Sequence, residues 1–516
     1  MKKRGAVGTY LILVVAILLS KVLGMVRNIL LASAYGASAM TDAFNAATSL
    51  PLNLFDITLS AAIVSAFVPV FNEKLTLTSK EEAERFGSNF LNVVALIAGT
   101  IAALGMIFPR VALKIVASAL SEEALVYAVP LTRMIMPVVF LAAALYVFIG
   151  ILQSYGQFTG PALVSLVSNV AMVVYFLFFN QRFGIYGLGV AFTFGWLCQL
   201  LFLFPFLYKK KFHYSFTLQL RSPDLRRVLM LTLPLFVAAL AQPINQLITS
   251  NISSGVGKGI LSSVQYAYQA YFIVSGIFSY CLTNLFFPEM SRCFARNDID
   301  AAKGICSSML GSVSAIVIPI MAFMIGNSNS IIRLLYQRGS FTHEDTERVG
   351  SLLMIYCCAM LFYSYQEILN KYFYSMQKVK LPVITAFLGI AVNLTVALLT
   401  VGPLGVYGLA LGTLSAAGVM AVLLLAFTAK ATPGVLNRPL LFGVLRDIVG
   451  AMALFVAARE VRIWVEDRWS GALGTAAGLG AGLAVGLVAY LLILWLTGSK
   501  ELRALAETVK KKKEKA

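Results

Sequence analysis

Along this chain, runs of twenty or more largely apolar residues alternate with short segments rich in Lys, Arg, Glu, Gly and Pro. A helix rising about 1.5 Å per residue needs about 20 such residues to cross the roughly 30 Å hydrocarbon core of a bilayer. The pattern predicts fourteen spans, near 7–35, 41–71, 86–109, 123–153, 160–180, 184–208, 227–250, 260–290, 302–327, 347–374, 381–401, 405–428, 440–460 and 470–497. The expected fold class is therefore an all-α polytopic membrane protein with 14 transmembrane helices. The first run is too long for the h-region of a cleavable signal and has no convincing small-residue cleavage site, so it is expected to stay as the first span.

Half of the pattern is repeated. Gly184-Ile185-Tyr186-Gly187-Leu188 returns as Gly405-Val406-Tyr407-Gly408-Leu409, and Pro161 and Pro382 keep the same offset of 221 residues. Phe67-Val68-Pro69 is echoed by Phe286-Phe287-Pro288. Two pseudo-symmetric six-helix lobes follow, 1–210 and 222–430, joined by a polar linker from Phe212 to Asp224. Six is even, so both copies enter the membrane in the same sense, about an axis along its normal. Two further helices at 440–498 and a basic tail at 499–516 lie outside the repeat. On the last helix Gly474, Gly478, Gly482 and Gly486 form a small-residue stripe suited to close helix packing, or to a shallow lipid groove.

The first span carries the most pointed chemistry. Lys21 and Arg27 sit inside an apolar run, where a charge costs a few kcal/mol and faces a bundle interior or a wet cavity. On a helix Gly24 falls midway between them, some 60° from each, with the two cations about 9 Å apart along the axis. That is a bare backbone notch between two cations, a seat for a diphosphate-sized anion. The competing reading is structural, with Arg27 paired to Asp42. Asp42 and Asp56, 14 residues apart, fall near one face of the second helix and are expected to line one cavity wall, unless Asp42 caps its own helix. Arg133 is a third cation within a span. The second lobe is poorer in charge, with little beyond Glu367, and Gln246 stands where Arg27 stands in the first.

Composition bears this out: 59% of the 516 residues are hydrophobic and 12% charged, which excludes a soluble globule. The net charge of +18 is unevenly placed. If the N-terminus is cytoplasmic, the inner segments hold 28 of the 41 Lys and Arg, the outer loops hold 10, and Lys21, Arg27 and Arg133 lie within spans. The positive-inside rule then gives N-in and C-in. Lys510–Lys513 next to a helix suits anionic lipid, and no nucleic-acid partner is expected. Six cysteines in spans or near the cytoplasmic face are expected to be reduced. His213 and His343 stand in loops on opposite sides, so no metal or other cofactor is expected. Thr342, three residues before Asp345, reads as a helix cap, and His343 beside it as solvated.

Ser20-Lys21-Val22-Leu23-Gly24-x-x-Arg27, Gly36-Ala37 with Thr41-Asp42-Ala43-Phe44, Ala66-Phe67-Val68-Pro69, Leu131-x-Arg133-x-x-x-Pro137, Tyr266-Ala267-Tyr268, Arg338-Gly339-x-Phe341-Thr342 and Tyr372-x-Tyr374 together resemble the MurJ lipid II flippases. That family belongs to the multidrug, oligosaccharide-lipid, polysaccharide (MOP) exporter superfamily, and the likeness covers nearly the whole chain. It implies two six-helix lobes, two extra helices forming a lipid groove, and export of an undecaprenyl-diphosphate-linked peptidoglycan precursor across the bacterial inner membrane. Lys21, Arg27 and Asp42 carry over as expected substrate contacts. Three positions depart from the family pattern. Lys21 replaces an Arg, Phe55-Asp56 replaces an Arg pair, and Gln269 replaces an eighth-span Arg and offers only a neutral amide.

The expected substrate contacts are thus Lys21, Gly24, Arg27, Asp42, Asp56, Arg133 and Gln269. The expected partners are a lipid-linked diphosphate oligosaccharide, membrane lipids and, as candidates, wall-synthesis proteins. The alternatives are a flippase for another lipid-linked polysaccharide and a multidrug cation antiporter. The antiporter would want acids where this notch is basic. An intramembrane enzyme would need clustered acids or histidines at one membrane face, and the sequence has none. Outward movement of an anion gains about 2.3 kcal/mol per charge per 100 mV of inside-negative potential, so no ATP motif is required.

Overall fold

The computed structural model describes residues 3–56, 63–230 and 241–498; side chains are described for these except 3–18, 54–56, 64–65, 241–242, 273, 275–286 and 288. No strand occurs among the described residues. The helices are α1 (Lys3–Tyr35), α2 (Ala39–Ser49), α3 (Val68–Leu77), α4 (Lys80–Ile107), α5 (Pro109–Val116), α6 (Glu122–Ile135), α7 (Pro137–Ser154), α8 (Thr159–Phe178) and α9 (Asn180–Lys209). They continue as α10 (Ala241–Ser254), α11 (Ile260–Ala295), α12 (Ile299–Gly326), α13 (Ser328–Tyr336), α14 (His343–Cys358), α15 (Met360–Ser375), α16 (Lys380–Leu404), α17 (Val406–Ala431), α18 (Arg438–Glu466) and α19 (Gly471–Leu496). Between α2 and α3 the chain winds wider, as π-helix at Leu50–Asp56 and Ile63–Phe67.

Ten helices among the described residues are long and apolar enough to cross a membrane, counting α6–α7 and α14–α15 as one run each. The four other expected spans are those near 7–35, 41–71, 227–250 and 260–290. The first and last fall on α1 and α11, continuous helices of 33 and 36 residues. Parts of the other two, 57–62 and 231–240, lie outside the described residues.

Helix starts follow from local chemistry. Ser79, Ser121, Asp298 and Asn437 each accept a first-turn backbone N–H, and Thr342 with Asp345 forms a reciprocal capping box, as the sequence indicates. The repeat is written into the backbone as well. Gly184 (φ 56°) and Gly405 (φ 57°) both take the left-handed conformation at the turn between paired helices, where a Cβ would be strained. The pairs Gly36 and Gly259, and Gly156 and Gln377, share positive φ at matching places. A second repeated element escapes the hydrophobic pattern. α5 and α13 are short one-sided helices at equivalent positions, α5 burying Ala112, Leu113 and Val116, and α13 burying Ile332 and Tyr336.

The chain packs as two compact units, Met1–Ser262 with Arg338–Phe341, and Ser263–Gln337 with Thr342–Ala516. The packing boundary therefore falls within α11, well after the linker at 212–224. That linker is docked on α4 in the first unit. His213 N–H donates to Glu84 (3.2 Å), Ser215 N–H to Ser88 Oγ (3.1 Å) and Gln219 N–H to Asn89 Oδ1 (2.6 Å). Asn89 and Asn92 donate back to the carbonyls of Gln219 and Thr217. Glu84, Ser88 and Asn92 are spaced four apart along one helix face, with Asn89 three before Asn92 at its edge, so the strap is held along a polar stripe.

In the second unit the C-terminal hairpin α18–α19 is packed by its glycines. Gly482 faces the carbonyl of Ala458 and Gly486 faces Leu454, closer than a side chain would allow. Glu466 joins Arg333 (2.7 Å) to Arg462 (3.1 Å), and Arg462 also donates to Asn327 and Ser330, both 2.7 Å. The hairpin is thereby tied to the start of α13.

Candidate functional site

Helix α1 packs against α8 along a polar seam. Ser20 and Ser165 share a hydroxyl hydrogen bond of 2.6 Å, and Asn169 Nδ2 donates to the carbonyl of Ser20 at 3.1 Å. Asn169 also sits on Gly24, where an added Cβ would come within 3.5 Å of its amide. The notch at Gly24 therefore faces a side chain from α8 on that side, at a distance where a Cβ would make ordinary van der Waals contact.

Arg27 completes the seam. Its Nη1 donates to Asn169 Oδ1 (3.3 Å), and its Nε and Nη2 donate to Asn28 Oδ1 (3.2 and 3.1 Å). These acceptors are neutral amides. Among the described residues no carboxylate faces the guanidinium, so its charge is uncompensated there and two of its five donors are left over. Lys21, about 9 Å down the helix, has an exposed side chain. Sequence reasoning misses Asn28 and Asn169. The available signal is an Asn in the apolar run 160–180, where an amide needs a partner.

Asp42 does something different from either expectation. It is 3% exposed, and accepts the Gly259 N–H on Oδ2 and the Ser262 N–H on Oδ1, both at 2.7 Å. It thus caps the first turn of α11, where a carboxylate also meets the positive end of the helix. The cap of its own helix is Ser38, whose Oγ accepts the Thr41 N–H. Arg27, held by Asn28 and Asn169, is not its partner. Around this joint Ser340 N–H donates to the Ser33 carbonyl (2.8 Å) and Ser340 Oγ to that of Ala34 (3.1 Å), which knits the loop Arg338–Phe341 to the end of α1.

Arg133 lies on α6, four residues before Pro137, exposed and with no hydrogen bond or ion pair among the described residues. The backbone of Asp56 ends the π-helical stretch Leu50–Asp56, and its side chain lies outside the described residues. Gln269 lies on α11 in the second unit, half-buried, its Oε1 enclosed and without a hydrogen-bond partner among the described residues. Lys21, Gly24 and Arg27 thus share one helix, and Asn169 joins Gly24 to Arg27. No His/Cys/Asp/Glu group suited to a metal occurs among the described residues.

The family model described as lipid II flippase MurJ matches residues 31–481. A probable lipid II flippase MurJ of Rickettsia prowazekii is 27% identical over 416 residues, covering 80% of this chain and 82% of its own length. One from Thermotoga maritima is 29% identical over 395 residues, covering 76% and 79%. Among solved structures, a lipid II flippase MurJ in an inward closed conformation has the same fold, with TM-score 0.82 and 24% identity over 96% of this chain and all of that one. An inward-facing multidrug MATE transporter of the MOP superfamily is similar at TM-score 0.70 and 14% identity, over 81% and 95%. With a family model spanning most of its length and both the fold and the cationic seam in place, the chain belongs to the MurJ lipid II flippase family.

Proposed function

We propose that this protein carries lipid II from the inner to the outer leaflet of the bacterial cytoplasmic membrane by alternating access of its two six-helix lobes, 1–210 and 222–430. The observation that carries the reading is Arg27: a guanidinium at membrane depth, oriented by Asn28 and Asn169, faced by no carboxylate among the described residues and with donors to spare. An intramembrane charge so held is suited to a mobile counter-ion, and the diphosphate of the substrate supplies it. Lys21 and the exposed Arg133 add charge for the same anion. Gly24 admits Asn169, and Asp42 holds the first turn of α11 in place of touching substrate. The orientation is N-in and C-in, as the 28 to 10 division of Lys and Arg favours.

A multidrug antiporter has the same fold, but a basic seam repels cationic drugs. The deciding experiment is flipping of lipid II in proteoliposomes at matched protein level. Loss of a charge-assisted hydrogen bond of roughly 1.5–3 kcal/mol makes Arg27→Ala about ten- to a hundredfold slower or weaker. Arg27→Ala protein that flips lipid II at the wild-type rate would sink the reading.

A further inference from the structure

The strap at 212–224 is less uniformly polar than its sequence first suggests. From Tyr214 it alternates, with Tyr214, Phe216, Leu218 and Leu220 at even positions and Ser215, Thr217 and Gln219 at odd ones. The odd positions are docked on α4: the Ser215 and Thr217 hydroxyls are enclosed, and the backbone of Ser215, Thr217 and Gln219 is held by Ser88, Asn92 and Asn89. The even positions are exposed, Phe216 at 81% and Leu220 at 61%, which is the alternation of an extended chain with two unlike faces. Of these four, Tyr214 reaches back, its hydroxyl donating to Asn92 Oδ1 at 2.7 Å.

Both ends of the strap are basic. Residues 209–227 hold six Lys and Arg against one acid, Asp224, and that acid is paired with Lys74. Lys209, Lys211, Arg221 and Arg226 are exposed, and their side chains make no hydrogen bond or ion pair among the described residues. The level of the strap on α4 gives this arrangement its meaning. α4 carries its charges at 80–85 and none from 86 to 107, and the strap lies against Glu84, Ser88, Asn89 and Asn92, where charge gives way to the apolar run. Backbone at such a boundary has little water to bind, so the polar stripe of α4 supplies its partners. Outward aromatic and aliphatic side chains suit the edge of a bilayer, whereas in water they would form a costly apolar patch.

We propose that the strap is a lipid-binding element: Tyr214, Phe216, Leu218 and Leu220 enter the boundary between headgroups and acyl chains, and Lys209, Lys211, Arg221 and Arg226 hold anionic phospholipid at its two ends. Apolar insertion and attraction to anionic headgroups add together in such interfacial segments. On the N-in orientation above, the leaflet is the cytoplasmic one. The element uses none of the residues assigned to the transported substrate, so its ligand is the surrounding lipid.

The test places full-length Phe216→Trp protein in bilayers of equal parts phosphatidylglycerol and phosphatidylcholine, with bromine on the acyl chains of one lipid or the other. Fluorescence of the introduced indole is read as the difference from wild type, which subtracts the four native Trp. Its emission should be blue-shifted, and quenching should report a local enrichment of phosphatidylglycerol of about fivefold. Adding Lys209→Gln, Lys211→Gln, Arg221→Gln and Arg226→Gln should leave the two brominated lipids quenching alike. Quenching by neither lipid, equal quenching before the cations are removed, or enrichment that survives their removal overturns the proposal. Emission that follows the protein-to-lipid ratio while bromine has no effect would assign the face to a second copy of the chain, and overturns it too. Should the variants reconstitute poorly, wild-type protein decides by hydrogen exchange. The amides of residues 214–220 should exchange about fivefold more slowly in bilayers containing phosphatidylglycerol than in phosphatidylcholine alone, and equal rates overturn the proposal.

Discussion

Helices α1 and α11 both carry polar side chains within their length, yet α1 holds Arg27 in a web of neutral amides whereas on α11 Gln265 and Gln269 make no hydrogen bond among the described residues. On α1, Arg27 uses three donors on Asn28 and Asn169, and Asn169 in turn donates to Ser20. On α11, Gln265 and Gln269 have no such web among the described residues. A charge has to be oriented before the substrate arrives, because swinging a guanidinium at membrane depth is costly. A neutral amide is cheaper to leave waiting, at the cost of one unmade hydrogen bond.

The comparison breaks most severely at Asp42, which sets the first turn of α11. Asp42→Ala would leave the buried N–H groups of Gly259 and Ser262 without this acceptor, at about 1–3 kcal/mol each. The expected outcome is a fall in melting temperature larger than that from Asn169→Ala, Arg133→Ala or Glu73→Gln. Asp42→Asn keeps one acceptor oxygen and should recover about half. If both Asp42 variants melt like wild type, the cap does not hold α11.

Asn169→Ala attacks the α1 side only. It removes the bonds to Arg27 and to Ser20 and opens space at Gly24, and should slow flipping about tenfold, with a stability loss of about 1–2 kcal/mol. Binding assays on this variant should show undecaprenyl diphosphate and lipid II weakened alike, as expected if the α1 side meets the diphosphate common to both. A selective loss of lipid II would place Asn169 on the headgroup and not on the anion.

How much of this is legible in the sequence depends on how far along the chain each cause lies. The helical character of the spans, the repeat and the clustering of Lys21, Gly24 and Arg27 follow from local periodicity, and Gly184 and Gly405 fall in the same left-handed turn at both copies of the repeated motif. The occupant of the Gly24 notch is not legible, because helix geometry says which residues share a face but not that Asn169, 145 positions on, packs there. The linker reads as a plain polar connection for a similar reason. Its backbone amides are answered by Glu84, Ser88 and Asn89, and polar residues that bind a helix look in sequence like polar residues that bind water. The helices α5 and α13 are hidden because eight or nine residues are too few for a span. The glycine stripe on α19 is legible as close packing, since Gly482 and Gly486 meet α18 directly.

Arg133 offers a milder way to sharpen the comparison. It is exposed and has no partner among the described residues, so Arg133→Ala should change stability by no more than about 0.5 kcal/mol. Its effect on flipping should nevertheless be measurable, about threefold, if it adds charge for the diphosphate, and it should grow as ionic strength falls. Wild-type flipping by this variant at low salt would remove Arg133 from the anion site and leave α1 as the cationic face by itself.

The smallest effect is expected from a charge pair on neither face. Glu73, near the end of α3, pairs with Arg227 at 2.8 Å, beside Lys74 with Asp224 at 2.9 Å, where the strap enters the helical turn at 223–230. The hydrogen bond from Arg227 holds the Glu73 carboxyl below the usual carboxylate range. A carboxyl whose folded pKa is depressed contributes above its unfolded value, and the contribution is lost as pH falls through the folded one. The pair should therefore persist at neutral pH and release only in acid, below where an ordinary Glu protonates. Both partners are largely exposed, and such pairs stabilise little. Glu73→Gln should leave flipping at neutral pH unchanged and should remove this pair's share of any acid-dependent loosening of the strap, which Glu84 and Asp224 also hold, read as faster hydrogen exchange at the Ser215 and Gln219 amides. The same exchange experiment at Gly259 and Ser262 should show no response to Glu73→Gln, because Asp42 holds those amides independently of the strap. Faster exchange at Gly259 in this variant would mean that the strap and the first turn of α11 are coupled, and the two helices could then no longer be treated as separately supported faces.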